Sequence, residues 1–353
     1  MYSSCTKAKS GDNLGLLLLQ VIYPYCLQSL KKLFTFLLLI GLLIVPRQPQ
    51  AWGFFGHRLI NRLAVFTLPP EMIGFYKANI NYLTDNATRP DQRRSVVAGE
   101  AARHFLDADV YGPNAIAQLP HNYADAVAQI GEDSLQRHGI VPWQVARMKY
   151  QLTEAFRTHD TDRILHLSAD LGHYVADACV PLHTTRNYNG QLSGQRGIHG
   201  LWESRLPELL SANYDFFTGP APYLDNPTAA IWQAVGRAHA AVDSVLCFEE
   251  ELTASFPEDR KFGFEERSNQ TVRTYSRDFS RAYHERLHGQ VERQMRRAMQ
   301  LVGAIWYTCW VDAGQPDLET LPKSLSAEEK QRLMAEEKEL QNAPPSSIAG
   351  HDE

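Results

Sequence analysis

Apolar positions recur along most of the chain with a period near 3.6 rather than 2, which predicts helix after helix. Residues 61–66 carry the pattern, as does a stretch opened by Pro69-Pro70-Glu71 that reaches residue 82. Residues 122–137 repeat it, then a helix with Pro142 in its first turn that runs to about residue 158, then residues 168–178. Residues 231–252 and 271–310 also carry apolar positions at helical spacing. The short connection at 159–162 makes the helices on either side of it antiparallel neighbours. Pro181 forbids continuation of the second of these, so the chain should turn near Val180. No stretch alternates convincingly as a half-buried strand does, and no Asn-Gly turn separates two alternating runs. The pattern predicts an all-α, single-domain, multi-helix bundle.

The two ends depart from it. Lys31 and Lys32 precede a 13-residue apolar run, residues 33–45, followed by Pro46-Arg47-Gln48-Pro49-Gln50-Ala51. That is the order of a secretory signal, and the run is shorter than the roughly 20 apolar residues a spanning helix needs. Residues 1–51 are read as a signal segment, with Pro49 and the long leading region counting against it. The mature chain is then secreted or periplasmic, with no integral membrane span. After residue 315 the composition turns polar; Ser326 and Glu329 form a capping box for a short charged helix, 327–341, and residues 342–353 look disordered. Residues 315–353 are therefore read as a largely disordered tail, leaving 52–314 as the functional domain.

The chain has 353 residues, 44% of them hydrophobic, which is ample for one core. Loss of residues 1–51 removes Lys7, Lys9, Lys31, Lys32, Arg47 and Asp12, leaving 30 basic and 39 acidic residues, a net charge of −9. Such a balance argues against broad binding to nucleic acid or anionic membrane through a basic face. A metal site that draws a phosphate locally stays open. Of five cysteines, Cys179, Cys247 and Cys309 remain, an odd number that makes no disulfide framework. Cys179 is read as helix packing.

Candidate chemistry concentrates in residues 165–206. His173 and Asp177 are four apart, hence on one helix face, where a single metal ion could touch both. His183 follows on the turn after the helix. His199 and Glu203 repeat the four-residue spacing after a Gly-rich loop. His166 and Asp170 offer the same spacing on the same helix and compete with His173 and Asp177. His284 and His288 are also four apart and are read as a solvated face.

The order HxxxD-x5-H-x15-HxxxE combines imidazole and carboxylate donors of the kind zinc accepts. It resembles the trinuclear-zinc family of bacterial phospholipase C and the fungal and plant single-strand-specific nucleases. Two more stretches join the resemblance, which spans roughly residues 52–310: Trp52-Gly53-Phe54-Phe55-Gly56-His57, and His104-Phe105-Leu106-Asp107. The resemblance implies three zinc ions. Asp91, His104, His173 and Asp177 would hold one, and His183, His199 and Glu203 a second. Trp52, through its free amine and carbonyl, and His57 would hold the third, with Asp177 bridging. Asp91 is the best match to the family's loop aspartate, with Asp85 as rival, and it would also orient the attacking water or accept its proton.

The resemblance further implies a phosphodiester substrate, phospholipid or nucleic acid, a monomer, and no stable protein partner. Glu203 at the last ligand position and Gly197 two residues before His199 lean towards the phospholipase C branch. Trp202 directly before the acid leans towards the nucleases, whose bases would stack on an aromatic such as Tyr123, Tyr188 or Phe54. A reading from another class, a non-catalytic zinc-binding protein of the cell envelope, would keep the ligands but no open coordination position.

Overall fold

The computed structural model describes residues 53–267 and 270–342. The signal segment, Trp52 and residues 343–353 lie outside them. In chain order, α1 (Gly53–Ala64), α2 (Pro70–Ala78), α3 (Ile80–Asp85) and α4 (Arg89–Arg93) come first, then α5 (Ala115–Gln118), α6 (Tyr123–Ile130) and α7 (Glu132–His138). The long pair α8 (Val141–Arg157) and α9 (Thr161–Asp177) follows. A π-helical segment, Gly200–Arg205, leads to α10 (Leu206–Leu210), α11 (Pro227–His239), α12 (Val242–Ser255) and α13 (Glu258–Lys261). A hairpin of β1 (Phe262–Arg267) and β2 (Gln270–Tyr275) precedes α14 (Arg277–Arg286), α15 (Gln290–Asp312) and α16 (Ala327–Asn342). The fold is all-α in class.

α9 is the central element. Asp160 caps it by accepting from the Arg163 amide (3.1 Å), and the turn before Pro181 ends it. Ile164, Leu165, Ala169, Leu171, Tyr174, Val175 and Ala176 are all buried, against α1, α8 and α15. Every residue of α9 from Ser168 to Asp177 is buried, so the polar residues His173 and Asp177 are forced to find partners there. α8 and α9 pack as the sequence led us to expect, joined by a turn in which His159 takes a positive φ of 55°.

Close approach of α1 to α9 depends on Gly172. A Cβ there would lie 2.0 Å from Asn61 Oδ1, so only glycine lets the Asn61 amide sit against α9. Asn61 Nδ2 then donates to Ala169 O (3.0 Å) and Leu83 O (3.3 Å), tying α1 to both α9 and α3.

Several expected helices are divided, each at a backbone position that breaks the ladder. The 122–137 pattern is split at Gly131, with φ 91°, and the end of the 271–310 pattern at His288 and Gly289, with φ 49° and 73°. The start of that last stretch is a correction: residues 270–275 are strand, antiparallel to 262–267, with Phe262 opposite Tyr275. The alternation is weak because apolar side chains are not confined to a buried face: Phe264 is 74% exposed. Its pairing is set by rings gathered around the Lys261 ammonium, which lies 5.6, 5.7 and 5.2 Å from the centroids of Phe262, Tyr275 and Phe279.

The tail is more ordered than its composition implies. Leu318, Leu321, Leu325 and Leu333 are buried, and the expected capping box forms, with the Glu329 amide donating to Ser326 Oγ (3.0 Å). Residues 315–342 thus belong to the folded body, because four leucines spaced through a polar stretch suffice to dock it.

Candidate metal centre

Among the described residues, three groups of side chains could hold metal ions: His57, His173 and Asp177; Asp91, His104 and His173; and His183, His199 and Glu203. All eight residues are buried. Six elements converge to supply them. α1 carries His57, α4 carries Asp91, and a 3-10 turn, Ala101–His104, ends on His104. α9 carries His173 and Asp177, and the turn Pro181–Thr184 carries His183. His199 caps the π-helical segment and Glu203 lies within it. The wider π turn, closed by the Leu206 amide on Leu201 O, keeps residues four apart on one face, so Glu203 Oε2 meets His199 Nε2. Such turns recur at functional sites.

The arrangement around His104 fits a tetrahedral ion. Ligand atoms about 2.0–2.1 Å from such an ion stand roughly 3.3–3.4 Å from one another. Here His104 Nδ1 is 3.0 Å from both Asp177 Oδ2 and His173 Nε2, and 3.6 Å from Asp91 Oδ1. His173 Nε2 is 3.2 Å from Asp177 Oδ2 and 3.6 Å from Asp91 Oδ1. Those are five edges of one tetrahedron. Asp177 turns its other oxygen away: Oδ1 lies 3.4 Å from His57 Nε2, so a single carboxylate faces two ligand groups. The His57 and His173 rings stack with centroids 3.9 Å apart. In the third group His183 Nε2 is 3.4 Å from Glu203 Oε2.

Outer contacts choose which nitrogen each ring presents. A carbonyl can only accept, so His173 Nδ1 donates to Ala87 O (2.8 Å) and His183 Nδ1 donates to His104 O (2.7 Å). Each ring thereby aims Nε2 at the carboxylates, the orientation that outer partners of metal-bound histidines impose. His104 is reversed, with Nδ1 inward and Nε2 3.8 Å from Glu100 Oε1. Asp91 Oδ2 is buried with no hydrogen-bond partner, a cost that a bound ion or water would relieve.

Charge points the same way. Burial pushes His104 down to about 4, a shift that its bond to Asp177 only partly offsets. Burial also disfavours charge on His173, but the carboxylates of Asp177 and Asp91 outweigh it and raise the ring to about 9. Burial alone would raise Asp177 and Glu203, yet His173 and His183 hold the first well below the usual carboxylate range, and His199 and His183 lower the second. The buried carboxylates Asp177 and Glu203 are thus held ionised by the imidazoles around them.

Between the alternatives left open by spacing, the fold decides. Asp91 is in the cluster, on a short helix rather than a loop, whereas Asp85 is exposed at the end of α3. His173 and Asp177 face the centre. Asp170 instead takes Arg93 Nη2 at 2.6 Å, with His166 3.6 Å away. Of the pair expected on a solvated face, His288 is exposed, whereas His284 is half-buried, covered by the Tyr214 ring stacked on it at 5.5 Å. Burial pushes the Cys179 thiol up to about 12, consistent with packing.

Glu100 was passed over in the sequence reading. It accepts from Arg103 Nη1 (2.6 Å) and from the Tyr174 hydroxyl, and its place four residues before His104 was the available signal. Ser204 was passed over as well; it accepts the Gly53 amide at 2.8 Å and moors the start of α1 beside Glu203. Neither a scan against protein-family models nor a search of the curated proteins returns a match, so the reading of this centre stands on its own residues.

Proposed function

We propose that the chain is a zinc-dependent phosphodiesterase of the trinuclear-zinc family, phospholipase C-like in its substrate. One observation carries the reading: Asp177 directs Oδ1 at His57 and Oδ2 at His104 and His173, the two-sided carboxylate that the family's order of ligands implies. Asp91, His104, His173 and Asp177 would hold one ion, His183, His199 and Glu203 a second, and His57, Asp177 and Trp52 a third. Zinc supplies a Lewis acid that makes hydroxide available near neutral pH and offsets charge on a phosphoryl group.

The residues do the rest. Asp91 Oδ2, buried and without a partner, is the atom to orient the attacking water and take its proton. His173 and His183, fixed by Ala87 O and His104 O, keep their inward nitrogens in place through turnover. Burial of the whole set keeps bulk water from screening these charges. No helix among the described residues is long and apolar enough to cross a membrane.

The nuclease reading has one observation of its own. The half-buried Tyr188 ring lies 6.3 Å from His199, edge to face, where a base could stack. Tyr123 is instead engaged with Glu132 and Trp143.

The deciding experiment offers the metal-loaded protein phosphatidylcholine and single-stranded DNA side by side, with and without chelator, alongside elemental analysis. The proposal expects close to three zinc ions per chain and phosphatidylcholine turnover that chelation abolishes and zinc restores. Turnover of DNA alone would move the assignment to the nuclease branch. Three ions with no turnover would make the protein a zinc-binding envelope component, and one ion or none would overturn the trinuclear reading.

A further inference from the structure

α4 is five residues long, too short to hold a helical shape unaided. Its sequence is Arg89-Pro90-Asp91-Gln92-Arg93, and the geometry of a helix sets its two faces. Arg89 and Arg93, four apart, share one side; Asp91, two residues from each, points to the opposite side. Asp91 therefore enters the metal cluster only while the arginine face is held.

That face is held by α16. Glu336 Oε2 lies 2.8 Å from Arg89 Nη2 and Glu336 Oε1 3.8 Å from Arg93 Nη1, so one carboxylate spans both arginines. Arg89 Nη2 also donates to Leu333 O (3.4 Å) and Nη1 to Asn86 Oδ1 (3.1 Å). Arg93 continues inward to Asp170 Oδ2 (2.6 Å), three residues before His173, and stands 3.7 Å from Glu100 Oε1. Both guanidinium side chains are about nine-tenths buried, at 9% and 11% exposure, with Glu336 at 26%. Ion pairs at that depth are screened far less than surface ones.

α16 itself is docked along one stripe. Glu329, Leu333 and Glu336 recur at helical spacing and face the body, Leu325 is buried just before the helix, and the Ser326 amide donates to Asp162 Oδ1 (3.0 Å) in the first turn of α9. The stripe thus joins α4 to the start of the helix that carries His173 and Asp177.

We infer that α16 positions a metal ligand: through Glu336 it clamps the arginine face of α4 and so sets Asp91 into the group formed with His104 and His173. The inference rests on the metal-binding reading of that group and assigns Glu336, Arg89 and Arg93 as positioning residues. None of the contacts given above for Glu336, Arg89 and Arg93 is to His183, His199 or Glu203, so the clamp acts first on the Asp91 group.

The test titrates the metal-free full-length chain with zinc against a chromogenic chelator. Variants are Glu336→Ala, Glu336→Gln, Glu336→Asp and the exposed control Glu339→Gln. Asp91→Asn and Glu203→Gln mark the two ligand groups. Loss of an outer contact costs about 10- to 100-fold in metal affinity. Glu336→Ala and Glu336→Gln should weaken by about tenfold the same zinc class that Asp91→Asn weakens. The class marked by Glu203→Gln should stay within twofold, and Glu336→Asp should retain most of the affinity.

Wild-type affinity in every class for Glu336→Ala and Glu336→Gln, with Asp91→Asn still weakening one, overturns the clamp and leaves the metal reading standing. Equal weakening of all classes, or weakening explained by a lower unfolding midpoint, makes Glu336 a general stabiliser and also overturns it. No zinc uptake by the wild type removes the metal reading and the clamp together.

Discussion

Gly172→Ala sets two magnitudes against each other. Alanine in a helix interior is favoured over glycine by about 1 kcal/mol, so on α9 alone the substitution stabilises. The tertiary structure opposes it. The new Cβ would stand 2.0 Å from Asn61 Oδ1, 2.8 Å from its Cγ and 3.1 Å from its Nδ2, so α1 must retreat or Asn61 must swing away. Overpacking of this kind costs about 1–3 kcal/mol. Displacing Asn61 also breaks its bonds to Ala169 O and Leu83 O, each worth about 1 kcal/mol. The net expectation is a loss of about 2–4 kcal/mol. Urea unfolding of the metal-free protein measures it. Because α1 carries His57, the retreat should also open the 3.4 Å contact with Asp177 Oδ1 and weaken zinc at that group first. Asn61→Ala on its own should destabilise, while Asn61→Ala added to Gly172→Ala should cost little, since the clash partner is gone. A Gly172→Ala protein as stable as the parent, or strict additivity in the double variant, would refute the close-approach argument.

Asp177→Asn should lower zinc content and turnover more than Glu203→Gln, because both of its oxygens face ligand groups; damage from Asp170→Asn with a harmless Asp177→Asn would reverse the choice of pair. For pH, His173 is raised to about 9 when metal-free, so its contribution to folding is full below the unfolded value near 6.5 and is lost as pH rises through 9. Zinc must displace that proton, so uptake near pH 7.5 should release about one proton from this ring, and affinity should rise about tenfold per pH unit towards pH 9. Calorimetry in buffers of different ionisation enthalpy counts the proton, and pH-independent affinity across that window would contradict the assignment. A chain begun at Trp52 should hold one more zinc tightly than the same chain with an added Ala before it, since an amide nitrogen cannot ligate and a free amine can. Equal zinc content in the two would remove Trp52 from the centre.

The class of the fold and the pairs His173/Asp177 and His199/Glu203 were legible in the linear chain, because both depend on local periodicity, whereas His57, Asp91 and His104 entered only through the family resemblance. An apolar period near 3.6 predicts helices wherever the core lies, and a four-residue spacing puts His173 beside Asp177 in any helix that contains them. What local spacing cannot do is rank equivalent pairs. His166 and Asp170 satisfy the same rule, and only the packing of Arg93 against Asp170 turns that pair to structure and leaves the other for the centre. The hairpin at 262–275 escaped notice because its pairing depends on rings gathered around Lys261, which no alternation records. By helix propensity alone a glycine inside α9 is a weak point, and only the approach of Asn61 on α1 gives Gly172 its role. Likewise Glu336 sits in a charged run that composition marks as solvated, and it is a tertiary contact across more than two hundred residues that sets it beside Arg89. Sequence determined which residues could bind; close approach between distant helices decided which of them meet, since contact energies depend on distances that only the folded chain defines.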